Sequence, residues 1–264
     1  MSKDSSYQRV RSHLAYLGLR TASERLAPAL EAAEQDKPAY ADFLDLLLGA
    51  EVEATEDRRL QRRLRLAGFP HQKTLEQFDF SAQPGLDRSL IKELATLRFV
   101  EERSNVLLIG PPGVGKTMLA VALARRAVES GQRGYYTTAA DLVARTSKAA
   151  AEGRWQNTMR FWAGPGVLVV DELGYLPLPG EAASHFFQVV SRRYESGSII
   201  LTTNRGIAEW GDIFEDTTVA AAILDRLLHH CTVVSIDGES YRMRGHREKL
   251  SQLRAAIAGG GEIR

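Results

Sequence analysis

The sequence predicts an α/β fold with a parallel sheet covered by helices on both faces, preceded by a small all-helical N-terminal domain. Three observations carry this reading. Short runs rich in Val, Ile and Leu at 106–109, 167–170 and 198–202 read as strands buried on both sides, since a strand facing water would alternate with polar residues. Segments of helical periodicity separate these runs, the arrangement that gives parallel pairing. Residues 1–68 carry apolar positions at helical spacing and no strand signal.

Within 1–68, Val10, Leu14 and Leu17 mark a first helix, and Leu26 and Leu30 a second that follows Thr21. Pro28 should kink that second helix or mark its true start. After the polar break at 35–38, Phe43, Leu46 and Leu47 restart the pattern. Three or four helices of this size bury little core by themselves. Residues 67–83 lose the helical period and hold Gly68 and Pro70, with Pro84 just beyond. They read as a linker or strap, spanning 69–103, into a second domain at 104–264. That domain is expected to run strand 106–109, helix 116–129, strand 135–137, helix 139–148, strand 167–170, helix 181–194 and strand 198–202.

Composition bounds the function. Of 264 residues, 25% are charged and 44% hydrophobic, which excludes disorder, collagen and coiled-coil rods. Thirty-four Lys and Arg stand against 33 Asp and Glu, a net charge of +1, so any nucleic-acid contact must come from local basic patches. The single cysteine, Cys231, cannot make an internal disulfide, and no zinc cluster is visible. No run reaches the roughly 18 apolar residues of a membrane helix. The N-terminus has no hydrophobic signal core, so a soluble cytoplasmic protein is expected.

The chemistry is concentrated in two motifs. Gly110-Pro111-Pro112-Gly113-Val114-Gly115-Lys116-Thr117 fits G-x-x-x-x-G-K-[ST] without a mismatch, between a strand and a helix. The glycines let backbone amides approach phosphate oxygens, and the helix start adds unpaired N–H groups. Lys116 then neutralises the β and γ phosphates of a nucleotide, and Thr117 holds Mg²⁺ through its hydroxyl. Asp171 and Glu172 follow the apolar run 167–170 and emerge at its carboxyl end, where open α/β sheets bind ligands. Asp171 would hold the metal shell and Glu172 would polarise the attacking water.

Three further positions are weaker. Asn204 follows the third strand and reads either as a holder of the lytic water or as a plain cap. Arg226, on an amphipathic helix, reads as an arginine offered to a neighbouring subunit's γ-phosphate or as a partner for Asp225 or another acid. Arg242 and Arg244 are phosphate sensors or solvated cations.

Together the segments GPPGVGKT (110–117), VVDELGYLPL (169–178), LTTNRGIAEWGDIF (201–214), AAILDRLLHH (221–230) and ESYR (239–242) resemble the IstB family, the ATPase helpers of insertion-sequence transposases. HLAYLGLRTASERL and the arginine run before GFP are similar to it as well, so the resemblance covers nearly the whole chain. It implies an AAA+ fold of the initiator and helicase-loader group with a minimal C-terminal lid. It also implies ATP-driven self-association on double-stranded DNA and delivery of a target site to a partner transposase. By the same resemblance Lys116 and Thr117 bind ATP and Mg²⁺, and Asp171 and Glu172 form the hydrolytic pair. Asn204 is then a sensor, Arg226 the intersubunit arginine and Arg242 a second sensor. A replicative-helicase loader, or an ATP-gated binding protein whose hydrolysis is incidental, are the competing readings.

Two basic clusters are candidates for DNA. Arg58, Arg59, Arg62, Arg63 and Arg65 form a stripe that tracks phosphates, or a solvated helix balanced by Glu51, Glu53, Glu56 and Asp57. Arg145, Lys148, Arg154 and Arg160 would face a central channel by resemblance to AAA+ initiators, with 148–154 a small-residue turn; ordinary surface cations are the alternative. With no zinc finger or helix-turn-helix, non-specific duplex binding is expected. His229 and His230 lack a partner at ligand spacing and are read as helix C-terminal residues favouring the dipole. Phe186, Phe187 and Tyr194 are expected in the core.

Overall fold

A computed structural model describes residues 3–241 and 243. Its contacts divide the chain into two compact units, Met1–Arg62 and Arg63–Arg264. The division falls inside a helix, and the segment 69–103 belongs wholly to the second unit.

The first unit holds α1 (Lys3–Tyr16), α2 (Arg20–Asp36) and most of α3, which runs Tyr40–Ala67 across the division. Its core is small: Leu14, Ala22, Leu26 and Leu47, with Tyr7, Leu19, Ala29 and Phe43 packed around them. A polar tether supplements it. Leu19, before α2, offers no capping side chain. Instead the buried Glu51 of α3 accepts from the Ala22 N–H at 2.9 Å, satisfying one of the unpaired donors of the α2 start. Arg58 closes the arrangement with a 2.6 Å ion pair to Glu51. The Ala22 bond, reinforced by Arg58, holds the Glu51 carboxyl below the usual carboxylate range against the opposing effect of desolvation.

Of the two roles expected for Pro28, it does not start α2, which begins at Arg20 and continues through it. Pro28 is exposed, so water can serve the carbonyl it leaves unpaired. Val10, Leu17, Leu30 and Leu46 are exposed, leaving Leu14, Leu26 and Leu47 to carry the core.

The second unit begins with two 3₁₀ turns, Leu75–Gln77 and Phe80–Ala82, then α4 (Arg88–Leu94) and α5 (Arg98–Glu101). Next come β1 (Asn105–Ile109), α6 (Lys116–Glu129), β2 (Gly134–Thr138), α7 (Ala139–Ala151), α8 (Trp155–Ala163) and β3 (Val167–Leu173). There follow α9 (Glu181–Arg193), β4 (Ser198–Thr203), α10 (Trp210–Phe214), α11 (Thr217–Leu228) and β5 (Cys231–Ser235). The sequence reading missed α4, α5, α8, α10 and β5. It also placed a turn over 148–154, whereas α7 runs through Ala151 because its buried Thr146 and Ala149 keep the helical face going.

The sheet is parallel throughout, in the order β2-β3-β4-β1-β5. Alternate residues of the central strands feed opposite layers. Leu107, Leu168, Val170, Ile199 and Leu201 pack with α7, α8, α9 and α11. Val106, Leu108, Val167, Val169 and Ile200 pack with α4 and α6. Phe78, Leu86, Ile91, Leu94, Phe99 and Val100 complete that second layer, so 69–103 is core rather than linker. Each fully buried Val, Leu or Ile contributes on the order of 1.5–3 kcal/mol by leaving water.

Arg193 of α9, which no sequence signal marked, ties the opposite layer of α8 and α9 to the sheet from inside. It is 1% exposed and donates to the carbonyls of Trp162, Pro165, Gly166 and Ser198 at 2.8–3.3 Å. Burial pulls its guanidinium down to about 10, still charged at neutral pH. Among the described residues no helix is long and apolar enough to cross a membrane.

Candidate nucleotide site

The strand order brings the carboxyl ends of β3, β4 and β1 side by side, with β4 in the middle. The loop leaving β1 is the phosphate loop. Gly115 adopts φ 105° and ends it without a side-chain cap, so the first N–H groups of α6 stay available to an anion. Gly113, at φ 84°, leaves room for Ser240, whose hydroxyl occupies the place a Cβ would need. The Gly113 carbonyl accepts from Tyr241 N at 3.0 Å. The residues 240–241 and the phosphate loop are therefore packed together, and Phe78 presses against Gly115 from the other side.

Lys116 and Thr117 open α6. Lys116 Nζ donates to the carbonyls of Gly110 and Pro111 at 2.7 and 2.8 Å, folding the amine back over the loop. Thr117 Oγ1 donates to Asp171 Oδ1 at 3.0 Å. Asp171 is 2% exposed, yet no cation pairs with it among the described residues. Its charge is met by three hydroxyls, those of Thr117 and Thr202 on Oδ1 and that of Tyr136 on Oδ2 at 2.7 Å. Burial, then the Asp171 carboxylate, push the Tyr136 phenol well above its ordinary range, so it remains a donor.

The carboxylate pair does not follow the end of β3, as expected, but lies within it. The register against β4 slips between Val170 and Leu173, and Glu172 takes φ 62°. A bulge of this kind costs about 1 kcal/mol or more of backbone strain and re-aims a side chain. Here it leaves Asp171 inside and Glu172 exposed in the cleft, its N–H held by Thr202 Oγ1 at 3.0 Å.

One cleft is lined by Pro112, Gly113, Lys116, Thr117, Asp171 and Glu172, together with Tyr175, Thr202, Thr203 and Asn204. The structure thus brings Asn204 to the phosphate loop and the acid pair. It does not bring Arg226, which ends α11 half-buried with its guanidinium 4.6 Å from the centre of the Phe187 ring and no acidic partner among the described residues. The alternative of a pairing with Asp225 or another acid is not seen among the described residues, where the guanidinium lies over the Phe187 ring. Phe187 is accordingly half-buried and Tyr194 exposed, while Phe186 alone of the three is deep core. Arg242 and Arg244 lie outside the described residues.

Tyr136, Thr202 and Tyr175 were missed by sequence reading. For Tyr136 and Thr202 the signal available was a hydroxyl within a strand, which means nothing until the strand order places it beside Asp171, whereas Tyr175 lies in the turn after β3. The donor set fits a hard divalent cation: a hydroxyl and a buried carboxylate 3.0 Å apart, open to solvent on the cleft side, suit Mg²⁺, which keeps several waters.

The cationic candidates are differently placed. Arg58 is spent on Glu51, and Arg63 is half-buried, whereas Arg59, Arg62 and Arg65 are exposed. Arg145, Lys148 and Arg154 line one groove with Asn157 and Phe161. Arg145 lies over the rings of Phe161 and Trp162 at 4.8 and 4.9 Å and donates to Tyr135 Oη at 2.6 Å. Glu152 pairs with Arg154 and stands 4.0 Å from Lys148, and Arg160 bonds Asn157. His229 and His230 do have an acidic neighbour, Glu195, supplied from across the fold.

A phosphate loop, a strand-borne acid pair and a polar strand tip on a β2-β3-β4-β1-β5 parallel sheet define a P-loop ATPase of the AAA+ class. Solved structures agree on the fold: AMPPCP-bound DnaA from Aquifex aeolicus is 22% identical with a TM-score of 0.54, covering 70% of this chain and 56% of that one. DnaI is 20% identical with a TM-score of 0.53, covering 62% and 91%.

The chain belongs to the IstB-like ATP binding protein family, whose model matches residues 12–249. It is 46% identical over 235 residues to the insertion sequence IS21 ATP-binding protein of Pseudomonas aeruginosa, covering 89% of each. It is 41% identical to the insertion sequence IS5376 ATP-binding protein of Geobacillus stearothermophilus, covering 91% of this chain and 96% of that one. The protein is thus an ATP-binding ATPase of the kind carried by insertion sequences.

Proposed function

We propose that this ATPase assembles on duplex DNA and helps a partner transposase, with hydrolysis governing assembly and release. The observation that supports the catalytic part most directly is the cleft in which Lys116, Thr117, Asp171, Glu172 and Asn204 converge. In it Lys116 exchanges the loop carbonyls for the β- and γ-phosphate oxygens, and the amides at the start of α6 receive the rest of the phosphate charge. Thr117 and Asp171 hold Mg²⁺, which when bound neutralises charge building between the β- and γ-phosphates. Glu172, set outward by its bulge, takes the proton of the attacking water, and Asn204 orients that water. Arg226, which does not line its own cleft, serves a neighbouring subunit's γ-phosphate.

Exposed Arg145, Lys148 and Arg154, sharing one groove, are the better-placed contacts to duplex phosphates; exposed Arg59, Arg62 and Arg65 on α3 are a separate basic stripe. The insertion-sequence relatives favour a transposase over a helicase as the partner.

ATP turnover and sedimentation, measured with no DNA, with single strands and with duplex at moderate salt, test this. Nucleotide-dependent growth into a large assembly on duplex alone is the expected result. Preference for single strands, or silence until a helicase is added, would transfer the reading to a helicase loader, and absence of ATP binding would end both.

A further inference from the structure

We propose a second cation site, for a divalent transition metal of the zinc type, formed by Glu195, His229 and His230 at the end of the sheet remote from the nucleotide. Glu195 sits between α9 and β4, and the two histidines sit between α11 and β5. Since β4 and β5 flank β1, these short connections meet at the amino ends of the strands, whereas the nucleotide cleft occupies the carboxyl ends. One ligand atom from each residue lies within 4.8 Å of the other two, and all three side chains are exposed.

The backbone beneath the cluster is fixed at each point. Glu195 holds a left-handed φ of 54°, and its carbonyl accepts from Arg103 at 2.8 Å. His229 N donates to Asp225 O at 3.2 Å, and His230 O accepts from Asn105 N at 2.7 Å. Tyr194 Oη lies 3.1 Å from His229 Nδ1, an outer partner of the kind that orients an imidazole and leaves Nε2 for a ligand. The two rings stand edge to face, with centroids 4.2 Å apart and planes at 68°, instead of stacking.

Two imidazoles and one carboxylate suit zinc, nickel or copper, and are a poor set for Mg²⁺, which takes oxygen ligands. Ligand atoms around tetrahedral zinc lie roughly 3.3 Å apart, so binding draws these exposed side chains together by about 1.5 Å at most. A fourth position stays open to water. The neighbouring Cys231 is not a ligand: it packs against the core and lies outside the cluster.

The site is independent of the reading of the nucleotide cleft, and its test is separable. Chelator-treated protein is titrated with Zn²⁺ alone by calorimetry and with Co²⁺ by visible absorption. The expected result is one Zn²⁺ per chain, bound at about 10 µM or tighter. His229→Ala and Glu195→Gln should each weaken it by on the order of tenfold or more, while Cys231→Ser leaves it unchanged. Circular dichroism of the exposed-residue variants shows whether the fold is retained. Absence of saturable binding in the wild-type chain overturns the proposal. Folded variants that bind as tightly as wild type overturn it too, since the ion then sits elsewhere.

Discussion

Thr117 and Asp171, 54 residues apart, are joined side chain to side chain: the hydroxyl that opens α6 donates to the carboxylate of β3 at 3.0 Å. The phosphate loop and the acid-bearing strand are not adjacent in the sheet, because β4 runs between them. Thr202 of that intervening strand bonds the same carboxylate and also the Glu172 amide. A single threonine therefore sets the positions of both acids, while the edge strand β2 contributes Tyr136 from the far side.

Tyr136 is the first position to test. Tyr136→Phe keeps the ring and removes only the donor to buried Asp171, which costs about 1–3 kcal/mol if nothing replaces it. The expected outcome is a small loss of thermal stability together with an altered Mg²⁺ dependence of nucleotide binding, and no change in Mg²⁺-free nucleotide binding. A variant with wild-type melting and wild-type Mg²⁺ dependence would show that the bond is incidental.

Separating hydrolysis from binding is the next step. Glu172→Gln should lower turnover by about 10²- to 10⁴-fold, the worth of a positioned base, with ATP affinity retained. Arg226→Ala should be deficient as well, and mixing the two variants should restore part of the activity. Recovery is expected because a mixed interface can hold one intact Glu172 and one intact Arg226 from different chains. No recovery on mixing would place the action of Arg226 within its own subunit.

Arg193 tests the architecture beneath the site. Arg193→Leu removes the charged donor that the carbonyls of Trp162, Pro165, Gly166 and Ser198 share, although the Gly166 carbonyl still accepts from Ser198 N. Destabilisation of about 3–5 kcal/mol is expected from breaking a buried charged network, read as a lowered denaturation midpoint. A shift under about 1 kcal/mol would mean that the loop carbonyls find water.

The parallel sheet and its main helices were legible because continuous apolar strands and helix-period segments are local signals. So was the phosphate loop, whose spacing is itself the geometry. Tyr136, Thr202 and the bulge at Glu172 were not, since each acquires its meaning from the strand order. Glu195 meets His229 and His230 only after two separate connections converge, which is why spacing along the chain showed no partner for them. Residues 69–103 read as a strap because their apolar positions are irregular, yet Phe78, Leu86 and Ile91 fill a core layer whose other half is the sheet. Exposure of Val10 and Leu17 has the complementary cause: periodicity marks a face without saying whether anything covers it.

For the basic surfaces, salt dependence separates the candidates. Each side chain that contacts a phosphate contributes about one to the slope of log affinity against log salt. Lys148→Ala and Arg154→Ala should each reduce that slope by about 1 on duplex DNA, weakening all sequences equally. Arg58→Ala should leave it unchanged, because that guanidinium is held by Glu51. A slope moved only by Arg59→Ala and Arg62→Ala would place the DNA on α3 instead.

Glu51 predicts how the N-terminal unit responds to acid. Its folded pKa lies below the unfolded value of about 4.3. Its contribution to stability is therefore fully present above the unfolded value and is lost as pH falls through the lowered folded one. Protonation removes the charge that favours the start of α2 and the ion pair to Arg58, although an oxygen can still accept from Ala22. Glu51→Gln keeps that acceptor and abolishes the titration. Amide exchange at Ala22, corrected for its intrinsic rate, should thus lose protection on acidification below about pH 4 in the wild-type chain, whereas the variant stays flat. If both chains lose protection in parallel, another carboxylate governs the acid response of the unit.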